Sequence, residues 1–148
     1  MRSKVLNKNG FYVYSYYQAR EVVLICKKFN IIPYIVFNYY LINNLGINWI
    51  KEIRKLLTKE FNKKEFQIVL DCQKNPALAI MCISYGFFIL KFKGNEILIK
   101  NIKSIKNKNS LKINPKITII DLKKIKNCNR YISRIMNQYR KNLWAIIL

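Results

Sequence analysis

Apolar and polar positions alternate in period along the chain: short strand-like apolar runs are followed by longer stretches in which apolar residues recur every three or four positions. Residues 10–14 read as a short strand, and Ser15 with Gln18 forms an S-x-x-Q capping box opening a helix that runs to about Phe29. The run IIPYIVF at 31–37 reads as a second strand, with Pro33 near its start, where a missing backbone donor does least harm. Asn43 and Asn44 precede a second helix, in which Ile50, Ile53, Leu56, Leu57 and Phe61 share one face while Lys51, Glu52, Lys55 and Lys59 fall elsewhere.

The stretch FQIVLDCQKNPALAIMCISYGFFILKFKGN, residues 66–95, reads as strand (66–71), helix (about 76–85) and strand (87–92). Asn75 is placed to cap that helix, Pro76 suits its first turn, and Gly86 can take the left-handed conformation that ends it. Asn95 then caps a fourth helix, where Glu96 complements the positive end of the helix dipole. A fifth strand is expected at 117–120, followed by a long basic last helix capped by Asp121. Five alternating strand–helix units in one α/β domain over 1–148 imply a mostly parallel sheet covered by helices on both faces. Ile68, Val69, Leu70, Phe88, Ile89 and Leu90 are its expected buried centre.

Chemistry enters through what is missing. The chain has 148 residues, no His, and four cysteines (Cys26, Cys72, Cys82, Cys128) without a C-x-x-C pair, which argues against a zinc site and reads as small core residues in a reducing compartment. A cysteine closing a strand, as Cys72 does, is the layout of cysteine phosphatases and sulfur transferases. Those enzymes need an Arg six residues on, where this chain has Leu78, so DCQKNPA reads as a turn. Four glycines in all leave no G-x-G-x-x-G or P-loop. Asp71 and Asp121 both close strands, but Asp71 is explained by pairing with a nearby Lys and Asp121 as a helix cap. No catalytic residue, metal or cofactor is expected, and no run reaches the length of a membrane span.

Charge is the most informative feature of the composition. Twenty-eight Lys and Arg stand against seven Asp and Glu, a net charge of +21 that repels itself unless an anionic partner neutralises it. The imbalance is greatest in the basic C-terminal part within the domain: 97–148 carry +12, the preceding residues +9. Lys100, Lys103 and Lys106 recur along the fourth helix, and Lys108, Lys112 and Lys116 continue through an Asn-rich loop. On the last helix, Leu122, Ile125, Ile132, Met136, Tyr139 and Leu143 form an apolar stripe. Lys123, Lys126, Arg130, Arg134 and Lys141 line another face, and Arg140 is a further candidate for RNA contact. Such a ridge suits an RNA phosphate backbone, with Tyr131, Tyr139 and Trp144 as candidates for stacking on bases.

Lys outnumbers Arg 22 to 6, and Asn, Lys, Ile, Tyr and Phe, all written with A- and T-rich codons, fill over half of the chain. Together with the basic C-terminal part and the absence of a cleavable leader pattern, this composition resembles organelle-encoded, mitochondrial ribosomal proteins of protists. Residues 66–95 are similar to short uncharacterised α/β proteins of alphaproteobacteria, although Gln73 stands where those have Gly. The element order is also similar to anti-sigma-antagonist domains, whose phosphorylated Ser has no counterpart at Lys74, Asn75 and Pro76. The resemblance implies a non-catalytic rRNA-binding structural component of a mitochondrial ribosome, in the matrix, touching ribosomal RNA and neighbouring ribosomal proteins within a large complex. The alternative is an accessory matrix-side subunit of a respiratory-chain or ATP synthase complex, its lysines facing acidic subunits or cardiolipin.

Overall fold

A computed structural model describes residues 9–105 and 111–147. Six strands, β1 (Asn9–Tyr12), β2 (Tyr34–Phe37), β3 (Gln67–Asp71), β4 (Ile89–Lys91), β5 (Lys112–Ile113) and β6 (Thr118–Asp121), form one sheet in the order β5-β4-β3-β2-β1-β6, parallel throughout. The helices are α1 (Tyr16–Lys28), α2 (Tyr39–Leu45), α3 (Ile47–Glu60), α4 (Pro76–Ser84), α5 (Glu96–Ser104) and α6 (Cys128–Ile147). The single parallel α/β domain is as expected, with one strand and one helix more. Strand β5 is only two residues long, too short to stand out in the hydrophobic pattern.

Consecutive strands β1 to β5 are neighbours in space, so right-handed crossovers carry each connecting helix to the same side of the sheet. Register agrees. The strand residues that join the main apolar core have one phase, Phe11, Ile35 and Ile68 at one level and Phe37, Leu70 and Leu90 at another, and they meet Val22, Ile50, Leu57, Cys82 and Ile132 of the helices. Val36 and Val69, of the opposite phase, are fully buried but lie outside that core. The cover expected from helices on both faces therefore takes another form on the second face, where the chain itself closes over the sheet.

Chain length explains how. Four residues, 114–117, link Ile113 in β5 to Thr118 in β6, and the five Cα steps reach at most about 18 Å. Six strands laid flat would put those edges about 24 Å apart. The sheet must curl, and the linking segment runs beside its inner face: a Cβ built on Gly10 would lie 3.1 Å from Ile117 Cδ1 and 3.3 Å from Val36 Cγ2. Asn114, at φ 55°, anchors the start of the segment through paired 2.8 Å hydrogen bonds between its side-chain amide and the backbone N–H and C=O of Phe92.

Local signals hold at most helix ends. Ser15 Oγ accepts from Gln18 N, although Gln18 Oε1 accepts from Tyr14 N one residue before the cap. Asn75 and Asn95 accept from Leu78 N and Leu98 N, and Gly86 has φ 85°. Two boundaries differ. Asn38, not Asn43 or Asn44, caps a helix after β2, and Gly46 at φ 84° breaks it so that α3 starts afresh. Asp121 does not cap the last helix. It accepts from Lys123 N in a turn, and Asn127 caps α6 by accepting from Arg130 N. Leu56, expected on the apolar face, is exposed, and Phe88 and Ile89 are only half-buried because short β5 leaves that edge open.

Candidate nucleic-acid interface

The basic residues do not form one ridge. Lys100 and Lys103 are exposed on α5, and Lys106 and Lys108 lie outside the described residues. Lys112 is on the edge strand β5, and Lys116 is in the segment leading to β6. At the opposite edge of the sheet, Lys123 and Lys126 occupy the turns after β6 rather than the helix, because α6 begins only at Cys128. Arg130, Arg134 and Lys141 are exposed on α6 at helical spacing and share a face. Arg140 is engaged within the protein, its guanidinium 4.7 Å from the Phe29 ring centre. Tyr131 packs against the core, and the side chains of Tyr139, Leu143 and Trp144 lie outside those described.

The structure gathers a different set. At the amino-terminal ends of β3 and β4 lies a groove of about 1000 Å³, with Phe66, Ile68, Phe87, Phe88 and Ile89 among its lining residues. Around it stand Lys51, Arg54 and Lys55 of α3, Lys63 of the following turn and Lys112 of β5, against the single carboxylate of Glu52. Lys51 and Lys55 recur at i, i+4 on α3, and the loop back to β3 brings Lys63 beside them. Of the residues singled out for RNA contact in the sequence, only Lys112 is here. The others were legible only as the polar side of an amphipathic helix, since nothing local says that this side borders a groove.

Arg54 holds the groove in shape. Its guanidinium lies 4.0 Å from the Phe87 ring centre and donates to Gly86 O (3.0 Å) and Tyr85 O (3.2 Å), tying α3 to the turn that ends α4. Burial lowers its pKa from the usual arginine value. Lys51 Nζ sits 4.9 Å from the Tyr85 ring centre. Among the described residues the ion pairs are Arg20 with Glu21 and Glu60, Lys27 with Glu65, and Lys91 with Asp71, so none of the five groove cations is neutralised by a carboxylate.

The carboxyl ends of the strands, where ligands of α/β proteins usually sit, carry a closed polar network instead. Tyr12 Oη donates to Asp71 Oδ2 (3.0 Å), and Lys91 Nζ lies 3.3 Å from Tyr12 Oη and 3.8 Å from Asp71 Oδ2. Tyr14 Oη donates to Asp121 Oδ1 (2.8 Å) and accepts from Asn38 Nδ2 (3.4 Å). Asp71 thus has the lysine partner expected of it, and the two carboxylates engage different tyrosines. Burial first, and then the adjoining carboxylate, raises the pKa of both phenols, that of Tyr14 to about 12. Cys72 is fully buried with its Sγ 3.9 Å from Cys82 Sγ, and that contact together with burial pushes its thiol pKa up, the opposite of what a nucleophile needs. No protein-family model, curated protein or solved structure matches this chain.

Proposed function

We propose that this protein is a non-catalytic RNA-binding structural component of a ribonucleoprotein, a mitochondrial ribosome, held to ribosomal RNA through its unneutralised lysines and arginines. The observation that carries this reading is the groove: five cations and one carboxylate converge on one recess in a chain of net charge +21. Like charges so gathered destabilise the folded state unless an anionic partner occupies the space between them. The exposed Lys100, Lys103, Lys116, Lys123, Lys126, Arg130, Arg134 and Lys141 add phosphate contacts over the two sheet edges, fixing orientation without reading sequence. The closed network at the other end of the strands works as a structural latch.

The test is sedimentation of the native protein from cell extract. It is expected to travel with ribosomal subunits and to be released by ribonuclease or by high salt. Migration with a detergent-solubilised membrane complex, unaffected by ribonuclease, would overturn the reading.

A further inference from the structure

We infer that the groove between α3 and the first residues of β3, β4 and β5 is a seat for unpaired RNA, a few nucleotides of single strand laid into a recess. The inference rests on the RNA-binding reading above and names the form of RNA the groove takes.

Three observations converge. Cations stand on separate parts of the wall, Lys51 and Lys55 on α3, Lys63 on the turn and Lys112 on the edge strand, so a backbone passing through meets charge along its length. Between them the lining is apolar: Phe66, Ile68 and Phe87 are buried, and Phe88 and Ile89 are half-buried. Gln67 also lines the groove, half-buried, and its side-chain amide makes no hydrogen bond among the described residues, leaving a donor and an acceptor for a base edge.

A duplex presents phosphates outward and keeps its bases stacked inside, so it could satisfy the cations but would leave the half-buried Phe88 and Ile89 uncovered. Unpaired nucleotides carry both an anionic backbone and exposed flat faces, the pairing that single-strand grooves use. An anionic lipid also has charge and apolar surface, but this apolar surface is recessed among the cations, and an acyl chain offers nothing to the Gln67 amide.

The experiment compares a labelled single-stranded 12-mer of uridine with a 12-base-pair RNA duplex by fluorescence anisotropy, on the full chain, over a range of salt. The wild type is expected to bind the single strand at least tenfold more tightly than the duplex. Phe88→Leu, which keeps the position apolar, should weaken single-strand binding roughly tenfold, the loss of about one stacked base, and leave duplex binding unchanged. Lys55→Gln, Lys63→Gln and Lys112→Gln together, all exposed and so compatible with folding, should flatten the single-strand salt slope by about 2 units. Equal affinity for duplex and single strand overturns the inference. So do unchanged single-strand affinities in both variants when their thermal unfolding matches the wild type. If RNA is bound but only Arg130→Gln, Arg134→Gln and Lys141→Gln weaken it, the groove is not the seat and RNA binding itself stands. If neither RNA form is bound while cardiolipin-containing vesicles are, both readings fall.

Discussion

Replacing Gly10 with alanine tests the curl of the sheet at its tightest point. Gly10 is buried in β1, and its backbone needs no left-handed φ, so alanine meets no conformational barrier. Space is the constraint: the new methyl would lie 3.1 Å from Ile117 Cδ1, 3.3 Å from Val36 Cγ2 and 3.4 Å from Ile119 Cγ1. Val36 and Ile119 belong to the strands on either side of β1, paired to it through Tyr12 and Gly10, and cannot withdraw without disturbing the ladder. Ile117, on the linking segment, must give way. Overpacking of this kind costs about 1–3 kcal/mol, offset by about 0.4–1 kcal/mol because alanine restricts the unfolded chain. A net destabilisation of about 1–2 kcal/mol lowers the melting temperature by roughly 2–8 °C in a domain of this size. Denaturant and thermal unfolding followed by circular dichroism would measure it. Ile117→Ala removes the closest contact, so the two substitutions together should cost at least about 0.5 kcal/mol less than their separate effects combined. A neutral or stabilising Gly10→Ala, or strict additivity with Ile117→Ala, would refute the proposed packing of residues 114–117 against the sheet.

Three further outcomes follow from the contacts. Tyr12 and Tyr14 have folded-state pKa values above the ordinary tyrosine value near 10, so the stability they confer is complete below pH 10 and is lost as pH rises from there toward 12; alkaline melts should show this loss, and Tyr14→Phe should reduce it. Arg54→Met keeps apolar contact with Phe87 but strips Gly86 O and Tyr85 O of their donor, at an expected cost of about 1–3 kcal/mol in urea unfolding, against under about 0.5 kcal/mol for the exposed Lys59→Met. Cys72→Ala should lower stability by under about 2 kcal/mol and leave RNA affinity unchanged, and the native protein should react with a thiol reagent only on unfolding, because all four cysteines are buried and burial pushes the Cys26 thiol up to about 12.

Features that depend on near neighbours along the chain were legible in the sequence. The apolar runs at β2 and β3, the amphipathic face of Ile50, Ile53 and Leu57, the caps at Ser15, Asn75 and Asn95, and the stop at Gly86 all express hydrophobic period or backbone hydrogen bonding within one turn. Parallel pairing follows from the alternation of strand and helix, since a parallel neighbour needs a crossover. Asn127 outcompeted Asp121 as a cap because Tyr14, 107 residues away in sequence, holds the Asp121 carboxylate at the strand end, a long-range contact with no local signature. The curl of the sheet was not legible in the same way, because it comes from the short link between β5 and β6 and the missing side chain of Gly10, which matter only once the strands are paired. Tertiary packing also sets where the charge converges. Lys51, Lys63 and Lys112 are far apart in the chain and become neighbours because α3, its following turn and β5 meet at the open corner that β5 is too short to cover. Net charge is a sum over the sequence, whereas a binding surface depends on which charges share a wall.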